Sequence, residues 1–418
     1  MFTRGTIIAT LQDMLNFPIY LDYNSTTPCD PRVVEAMLPY FTSAFGNAAS
    51  RNHPLGWQAE EAVELAREQV AKLVGAETKE IIFTSGATEA VNLGLKGVFE
   101  TYSGKGNHIV TCNIEHKAVL DTCQRIEKMG GEVTYLKVKP DGSIDLKELE
   151  AAIKPATILV AVMYANNEIG TIMPIKEISA IAKKKGVLVF SDATQAVGKI
   201  SVEVMRDGID LMAFSAHKLY GPKGVGALYV RRKDPRVKLT PQIDGGGHER
   251  GMRSGTLNVP GIAGFGKACE LALNELKENG ERLRQLRDKL ENALLNIEET
   301  YLNGDKNERL PNVTNISFRY VEGDALMMGF NKNIAVSSGS ACTSASPEPS
   351  YVLKALDVGD DLARSSIRFS LGKNTTEEEI DYTISEITNT VNKLRELSPL
   401  WEMYKEGVEI RQEEWFHH

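Results

Sequence analysis

The sequence predicts an α/β fold in which a mostly parallel central sheet is flanked by helices and a smaller α+β domain follows. Two observations predict this fold. Between residues 80 and 191, short apolar segments typical of strands alternate with segments of helical period, and repeated strand–helix units imply a parallel sheet. After residue 230, long helical stretches accompany fewer and more widely separated strand-like segments.

The apolar segments at the centre of the chain, such as 158–162, lack alternating polar residues. Such runs are typical of strands that are buried on both faces. The predicted strands are 19–23, 81–84, 108–112, 132–138, 157–163, 187–191, 211–214, 225–230, 313–318, 334–337 and 366–370. The predicted helices are 31–40, 56–73, 88–99, 117–129, 146–153, 175–185, 259–273, 281–298, 324–330 and 377–394.

The length of 418 residues exceeds the size at which a single hydrophobic core usually stops growing. We therefore expect a large domain over 18–265 and a small C-terminal domain over 266–418, preceded by an arm over 1–17. The small domain includes a loop at 337–346 and a tail at 398–418.

Charge and cysteine content exclude several classes of protein. A net charge of −8 argues against a general nucleic-acid binder, and no apolar run is long enough to span a bilayer. The five cysteines are odd in number, scattered and without C-x-x-C spacing, so neither a disulfide framework nor a structural zinc site is expected. We expect a cytoplasmic protein in a reducing compartment, without a metal, membrane or direct nucleic-acid partner.

The predicted strand at 211–214 is followed by Ser215, His217 and Lys218. Ligands of open α/β sheets bind at the carboxyl ends of the strands. A partly desolvated lysine there has a lowered pKa and can form a Schiff base as an amine nucleophile. The alternative, a surface lysine at a strand end, is favoured by this segment alone.

Two further strands are followed by polar residues. The segment 85–89 joins a strand to a helix start, so the amides of Gly86, Ala87 and Thr88 and the Thr88 hydroxyl offer a phosphate site; a simple helix cap is the alternative. His116, after the strand at 108–112, suits general acid–base catalysis or stacking on an aromatic ligand. A surface histidine remains the alternative.

Charged residues next to apolar strands need partners. Asp192 ends an apolar run and needs a cation, for which a pyridinium N–H fits better than a metal because no further metal ligands accompany it. Gln195 lies one turn further on, and Asn167 follows the strand at 157–163. Arg368, inside a predicted strand, needs an anion such as a substrate carboxylate.

Two glycine- or serine-rich segments complete the set. The segment 245–256 is basic and flexible in composition but matches neither the dinucleotide-binding nor the P-loop pattern. The segment 337–346 contains small polar residues around Cys342. We expect this loop to be mobile and its thiol to suit nucleophilic attack or sulfur carriage; the alternative is an inert buried cysteine.

Together these features match what a pyridoxal phosphate (PLP) enzyme acting on an amino acid requires. The chain resembles the group I cysteine desulfurases, which form the IscS/NifS-like branch of the class V aminotransferase superfamily, and within them the housekeeping iron–sulfur-cluster type. The resemblance covers nearly everything from residue 19 and implies a fold-type I PLP-dependent transferase. Its motifs lie at 20–23, 45–47, 85–89, 115–119, 166–170, 192–195, 215–218, 245–256, 337–346 and 365–368.

The resemblance implies a role for each cofactor residue. Lys218 would hold PLP covalently, Asp192 would pair with the pyridine nitrogen and Gln195 with the ring hydroxyl. His116 would stack on the ring and assist proton transfer. The residues that would bind the phosphate are Ala87, Thr88, Ser215 and His217, with Thr256 from the other subunit of a homodimer.

The implied reaction converts L-cysteine to L-alanine, with Asn167 and Arg368 holding the substrate carboxylate and Cys342 receiving the sulfur as a persulfide. The sulfur would pass to iron–sulfur cluster assembly and tRNA thiolation. The tail would bind the scaffold protein through an exposed Trp401 and Trp415, unless it folds back onto its own domain.

Three alternatives stay open. The first is a selenocysteine lyase or another class V PLP enzyme, such as an aminotransferase, which would not need Cys342. The second is a non-enzymatic scaffold in which Cys342 and other thiols hold an iron–sulfur cluster. The third concerns location: a mitochondrion-type organelle replaces the cytoplasm if 1–17 is the remnant of a targeting segment.

Overall fold

The computed structural model describes residues 15–338 and 349–408. These residues divide into two compact units. The large unit contains 24–281 and 305–311, and the small unit contains 15–23, 282–304, 312–338 and 349–408. The functional domains expected over 18–265 and 266–418, with the arm at 1–17, stay a prediction.

The strands and helices are numbered here in chain order. The strands are β1 (Ile19–Tyr20), β2 (Ile81–Thr84), β3 (His108–Cys112), β4 (Glu132–Leu136), β5 (Thr157–Ala161), β6 (Leu188–Asp192), β7 (Leu211–Ser215), β8 (Gly226–Val230), β9 (Thr300–Leu302), β10 (Val313–Phe318), β11 (Ile334–Ala335), β12 (Ser337–Ser338) and β13 (Ser366–Ser370). The helices are α1 (Pro31–Met37), α2 (Pro39–Thr42), α3 (Pro54–Val74), α4 (Ala87–Tyr102), α5 (Lys117–Lys128), α6 (Leu146–Ala152), α7 (Ile175–Lys184), α8 (Val259–Leu295), α9 (Gly323–Phe330), α10 (Tyr351–Ala355), α11 (Asp360–Arg364), α12 (Glu377–Glu396) and α13 (Pro399–Lys405).

The large unit is built on a seven-stranded sheet in the order β2-β8-β7-β6-β5-β3-β4. The pairs β3–β4, β3–β5, β5–β6 and β6–β7 are parallel, and β8 is antiparallel to both neighbours. This arrangement confirms the predicted mostly parallel sheet with flanking helices. Its core includes Ile82, Leu93, Phe99, Phe190 and Leu228.

The direction of the strands decides where the loops after them meet. Because β8 runs antiparallel to both β2 and β7, those two strands point the same way. Gly226 pairs with Thr84 on one side and with Ser215 on the other. The carboxyl ends of β2, β7, β6, β5 and β3 therefore lie along one edge of the sheet, where ligands bind in such folds.

The small unit has a separate core around a four-stranded antiparallel sheet in the order β12-β13-β10-β9. The short strand β9 is absent from the sequence prediction. Strand β1 pairs in parallel with β11, with Ile19 opposite Ile334. Ile19 and Leu21 are buried in the core of this unit, although the predicted domain boundaries group them with the large domain.

Helix α8 is continuous over Val259–Leu295, whereas the long helical stretch predicted from the sequence, 259–273 and 281–298, leaves 274–280 unassigned. Those residues include Gly280, but one interior glycine costs only about 1 kcal/mol. The flanking Glu, Leu, Lys and Arg residues favour helix and outweigh that cost. Among helices in the described ranges, none is both long and apolar enough to cross a membrane.

Candidate active site at the carboxyl edge of the large sheet

Lys218 lies one turn beyond the end of β7. A 3-10 turn over Ala216–Lys218 follows Ser215, and the half-buried lysine folds back onto the segment after β1. Its Nζ donates hydrogen bonds to the carbonyl oxygens of Asn24 at 2.7 Å and Ser25 at 2.6 Å. This ordered position argues against a lysine that simply extends into solvent.

The phosphate site predicted at 85–89 is an uncapped helix start. Gly86 is the N-cap of α4 and contributes no side-chain hydrogen bond, so the alternative of a simple Thr cap does not apply. The first amides of a helix have no intrahelical acceptor and favour an anion. Ala87 and Thr88 occupy the first two helical positions, where their N–H groups suit a phosphate.

A close approach of two glycines brings this helix start to the end of β7. A Cβ atom on Gly226 would lie 2.7 Å from the Cα of Gly86, which no side chain tolerates. A Cβ on Gly86 would lie 3.8 Å from the Ser215 Oγ. The Ser215 hydroxyl therefore lies beside the amides that suit the phosphate.

The charges around this helix start are balanced. Glu89 accepts a hydrogen bond from the Ser85 N–H at 2.8 Å and pairs with Arg253 at 2.8 Å.

His217 follows the end of β7, and its Nδ1 shares a hydrogen bond of 3.1 Å with the Thr26 Oγ1. Burial, together with the positive charges of Lys218 and Lys223, lowers the His217 pKa to about 4. This histidine is therefore a neutral hydrogen-bonding group at pH 7 in the absence of an anion.

Asp192 is the last residue of β6 and is only 5% exposed. In the part of the chain that the structure describes, its carboxylate accepts one hydrogen bond, from the Thr194 N–H to Oδ1 at 3.0 Å. A buried carboxylate with so little protein hydrogen bonding fits a protonated ring nitrogen. Gln195 is also buried and donates from Nε2 to the Asn24 carbonyl at 2.9 Å.

His116 forms the N-cap of α5, where its Nδ1 accepts the Ala118 N–H at 3.1 Å. In a neutral ring the proton is therefore on Nε2. The preceding residue, Glu115, is fully buried, and its Oε1 accepts from the Met163 N–H at 2.5 Å. The ring of His116 is thus fixed by the helix start, and the adjacent carboxyl links β3 to the end of β5.

Asn167 lies after β5 and is buried. Its carbonyl accepts from the Asn24 Nδ2 at 3.1 Å, and the turn around it is fixed by Asn166, whose Oδ1 accepts from the Glu168 and Ile169 N–H groups. Residues after β5, β6 and β7 therefore all contact Asn24.

Thr256 is exposed at the end of the segment 245–256. That segment is anchored by Glu249, whose carboxylate forms a two-bond pair with Arg67 at 2.7 and 2.8 Å and accepts the Phe83 N–H at 2.7 Å. Glu249 and Arg250 have positive φ angles of 47° and 59°. This strained backbone is held by a buried ion pair.

Two predicted site residues do not belong to the large unit. Arg368, in the small unit, donates from Nη2 to the Asp22 Oδ1 at 2.7 Å and to the Ser337 Oγ at 2.9 Å. Asp22 thus supplies an anionic partner that the sequence prediction assigned to substrate. Cys342 and the loop around it, 339–348, lie outside the described residues.

The tail is packed against its own unit where it is described. Trp401 is half-buried, not exposed as expected; its ring centroid lies 5.3 Å from that of Tyr404 and 5.8 Å from that of Tyr320. The Arg395 guanidinium lies 4.6 Å from the Trp401 ring centroid. Trp401 was misjudged because its aromatic partner Tyr320 is distant in sequence. Trp415 lies outside the described residues.

Several residues of the site were missed in the sequence. Asn24 and Thr26 were assigned only to a turn, and Lys199, Arg67 and Glu249 to no function. The contacts of Asn24 and Thr26 join positions 143 to 194 residues apart in the chain, and no local pattern reveals them. The polar run that directly follows the first predicted strand is the feature of the sequence that could have identified Asn24 and Thr26 as site residues.

The residues that the structure gathers along this edge fit PLP. They provide an ordered lysine, a buried carboxylate for the ring nitrogen, a fixed imidazole and an uncapped helix start beside a serine. The groups that would meet the phosphate are backbone amides, a hydroxyl and an imidazole.

Comparison with known proteins places these features in one family. The family model described as Aminotransferase class-V matches residues 19–383. Cysteine desulfurase IscS of Pectobacterium carotovorum is 58% identical over 406 residues, 97% of this chain and 100% of the relative. Cysteine desulfurase IscS of Klebsiella pneumoniae is 57% identical over the same shares.

Solved structures of NifS-like proteins have the same fold as this chain. A NifS-like protein is 40% identical, with a TM-score of 0.84, and the match covers 90% of this chain and 100% of that one. A NifS-like protein from Rickettsia africae is 33% identical, with a TM-score of 0.79, over 90% and 99% of the two chains. The chain therefore belongs to the class V aminotransferase family, within its IscS/NifS-like branch.

Proposed function

We propose that this protein is a PLP-dependent cysteine desulfurase that converts L-cysteine to L-alanine and retains the sulfur as a persulfide on Cys342. The observation that carries the proposal is the full-length similarity to enzymes named cysteine desulfurase, combined with an edge of the sheet that fits PLP. Those relatives favour this activity over a selenocysteine lyase, an aminotransferase or a non-enzymatic scaffold.

Each residue along the edge has a proposed task in binding. Lys218 holds PLP covalently, for which its Nζ must leave the two carbonyl oxygens that it contacts here. Asp192 pairs with the ring nitrogen and Gln195 with the ring hydroxyl. The amides of Ala87 and Thr88, the Ser215 hydroxyl and the His217 side chain bind the phosphate, and Thr256 completes that site from a second subunit.

When bound, PLP supplies an electron sink that stabilises negative charge on the substrate carbon next to the amino group. His116 stacks on the ring and moves protons through Nε2, because Nδ1 is engaged by the Ala118 N–H. Asn167 and Arg368 bind the substrate carboxylate, and for Arg368 that carboxylate competes with Asp22.

The sulfur step is a nucleophilic transfer. The Cys342 thiolate attacks the sulfur of the bound cysteine, so that an S–S bond forms as the C–S bond breaks. The electron pair of the broken bond stays with the substrate carbon, which takes up a proton and ends as the methyl group of alanine. No external oxidant is needed, because the substrate sulfur leaves as the sulfane sulfur of the persulfide.

The proteins that accept the sulfur and the cellular compartment are also proposals. We propose that the Cys342 loop and the tail at 398–418 pass sulfur to an iron–sulfur scaffold protein and to other acceptors such as the tRNA thiolation system. Trp401, packed on Tyr320, gives the start of the tail a fixed position. Cys29, Cys112, Cys123 and Cys269 are unpaired thiols, which fits a reducing compartment, and we propose the cytoplasm.

Purified protein loaded with PLP should be yellow and should form alanine from L-cysteine. Lys218→Ala should remove the visible absorption that depends on the covalent link. Cys342→Ala should keep that absorption but lose persulfide formation at least about a hundredfold, since its nucleophile is gone. Persulfide should be measured by mass spectrometry of the protein and alanine by an amino-acid assay.

Cys29→Ala is the matched control, because this half-buried thiol lies outside the proposed chemistry. This variant should keep the visible absorption and form persulfide and alanine as wild type does. Normal persulfide formation in Cys342→Ala would refute the assigned nucleophile. Wild-type protein that remains colourless with added PLP would refute the whole proposal.

A further inference from the structure

Lys199 was assigned no function from the sequence, yet it contacts two buried amides of the site. Its Nζ donates to the Gln195 Oε1 at 2.5 Å and to the Asn24 Oδ1 at 2.8 Å. Gln195 is 5% exposed and Asn24 is 1% exposed. The lysine itself is half-buried, four positions after Gln195 in the turn that follows β6.

These contacts fix which end of each amide faces which neighbour. An ammonium group has donors only, so both amides must direct their oxygens to Lys199. The nitrogen ends then have acceptors: Gln195 Nε2 donates to the Asn24 carbonyl at 2.9 Å, and Asn24 Nδ2 donates to the Asn167 carbonyl at 3.1 Å. Every bond in this chain of contacts has a donor facing an acceptor.

The Asn24 carbonyl connects this group to the proposed cofactor lysine. It accepts from Gln195 Nε2 and also from Lys218 Nζ at 2.7 Å. An amide nitrogen carries two N–H groups, so Gln195 has a second donor besides the one directed at Asn24. The Asn24 carbonyl and Lys199 thus act on opposite ends of the Gln195 amide, since the carbonyl needs an N–H group and the ammonium needs the oxygen. Without Lys199, the oxygen end of the amide would lose this cationic donor.

We propose that Lys199 is a positioning residue that orients the Gln195 amide so that an N–H group meets the ring hydroxyl of the cofactor, and that adds a positive charge one hydrogen bond away from it. The inference rests on the proposed function, in which Gln195 pairs with that hydroxyl. A nearby cation and a correctly directed N–H both favour the ionised ring oxygen.

The test is the pH at which the visible absorption of the bound cofactor changes, measured without substrate. Lys199→Met removes the charge and the orienting donor, so this pH should rise by about one unit. Lys199→Arg keeps both and should titrate within a few tenths of a unit of wild type. Lys176→Met, at an exposed position of α7, is the matched control and should leave the titration unchanged.

Lys199→Gln is a second neutral variant with a polar side chain, in case the methionine variant does not fold. It lacks the charge and should also shift the titration upward. A folded and fully loaded Lys199→Met or Lys199→Gln protein that titrates like wild type would overturn the proposal. That outcome differs from failure of the proposed PLP binding, in which wild-type protein itself would show no visible band, and from failure of the desulfurase activity, which the Cys342→Ala assay detects.

Discussion

Glu115 is the buried acid that the proposed chemistry leaves unused. Its carboxyl accepts from the Met163 N–H at 2.5 Å and from the Cys112 thiol at 3.2 Å. Burial raises its pKa to about 8, with a further contribution from the negative charge of Asp192. Near neutral pH this residue is therefore mostly a neutral acid that joins the loop before His116 to the end of β5.

The raised pKa makes stability depend on pH. The folded protein keeps the Glu115 proton up to about pH 8, whereas the unfolded chain releases it near the ordinary value of 4.5. The unfolded state therefore binds fewer protons in this window, and the contribution of Glu115 to the free energy of unfolding falls as the pH rises through it. Burial also raises the pKa of the neighbouring Cys112 and Cys123 thiols, so they stay protonated in this window.

We predict that Glu115→Gln, which keeps the shape and hydrogen-bonding capacity of the neutral acid, loses less stability than wild type between about pH 5 and about pH 8. Urea unfolding at several pH values measures this. Glu150→Gln, an exposed change on α6, is the control and should follow the wild-type profile. A Glu115→Gln profile parallel to that of wild type would show that this carboxyl does not titrate in the window.

Individual site residues could be predicted where a strand end identifies them. Asp192, Ser215 and Lys218 are recognisable because apolar strands stop at polar residues, and the structure gathers all three at one edge of the sheet. Asn24 and Lys199 could not be found this way, because their importance lies in hydrogen bonds to residues that only the fold brings close. The assigned roles themselves remain proposals.

At the scale of the elements, the composition of the segment 245–256 predicts flexibility, but a buried ion pair holds it in one conformation. The side chains of Arg67 and Glu249 are 4% and 2% exposed, and their pair also satisfies the Phe83 N–H. A buried charge that loses its partner destabilises a protein by roughly 3–5 kcal/mol. The position of Thr256 thus depends on an ion pair between α3 and a loop distant in sequence.

We predict that Glu249→Ala lowers the free energy of unfolding by roughly 3 kcal/mol. The Phe83 N–H loses its acceptor, and the buried Arg67 charge keeps only the half-exposed Glu64 as an anionic partner. Removing both charges with Arg67→Met and Glu249→Ala should cost less than the sum of the two single changes, as a double-mutant cycle in urea would show. Lys233→Ala, which breaks the exposed pair with Glu77, is the control and should change stability little. Additive costs would contradict a coupled pair.

Strands and helices of the large unit could be read from the sequence more closely than the long-range strand pairing of the small unit. Predicted strands at 81–84 and 108–112 match β2 and β3, because uninterrupted apolar runs end at clear turns. Strand β1 illustrates the limit: two residues beside a polar turn do not indicate a partner, and Ile19 pairs with Ile334 far along the chain. The long helical stretch was predicted, but its continuity through 274–280 in α8 needed the structure.

At the scale of the whole molecule, the proposed homodimer is supported by an apolar surface near the start of the large unit. Phe41, Phe45 and Trp57 are 60%, 65% and 53% exposed, and Val34 and Leu38 lie exposed on the adjacent helix. Large exposed apolar side chains in one stretch indicate a contact with another protein. A second copy of this chain is the partner that the proposed role of Thr256 requires.

We predict that the double change Phe41→Glu and Phe45→Glu weakens dimerisation at least about tenfold, since each buried phenylalanine contributes roughly 1.5–3 kcal/mol and a symmetric interface contains two of each. Sedimentation velocity over a range of concentrations measures the dissociation. Met328→Glu, at a side chain 74% exposed in the small unit, is the control and should leave the dimer intact. An unchanged dimer in the double variant would exclude this surface.

Dimerisation and cofactor binding should then be linked. If Thr256 completes the phosphate site of the other subunit, the Phe41→Glu and Phe45→Glu protein should lose PLP on dialysis as it becomes monomeric, although both changes leave every cofactor residue in place. Thr256→Val should lose PLP to a similar extent while remaining a dimer, because it removes a hydroxyl donor and no apolar contact. A monomer that retains PLP as firmly as wild type would show that each subunit binds its cofactor alone.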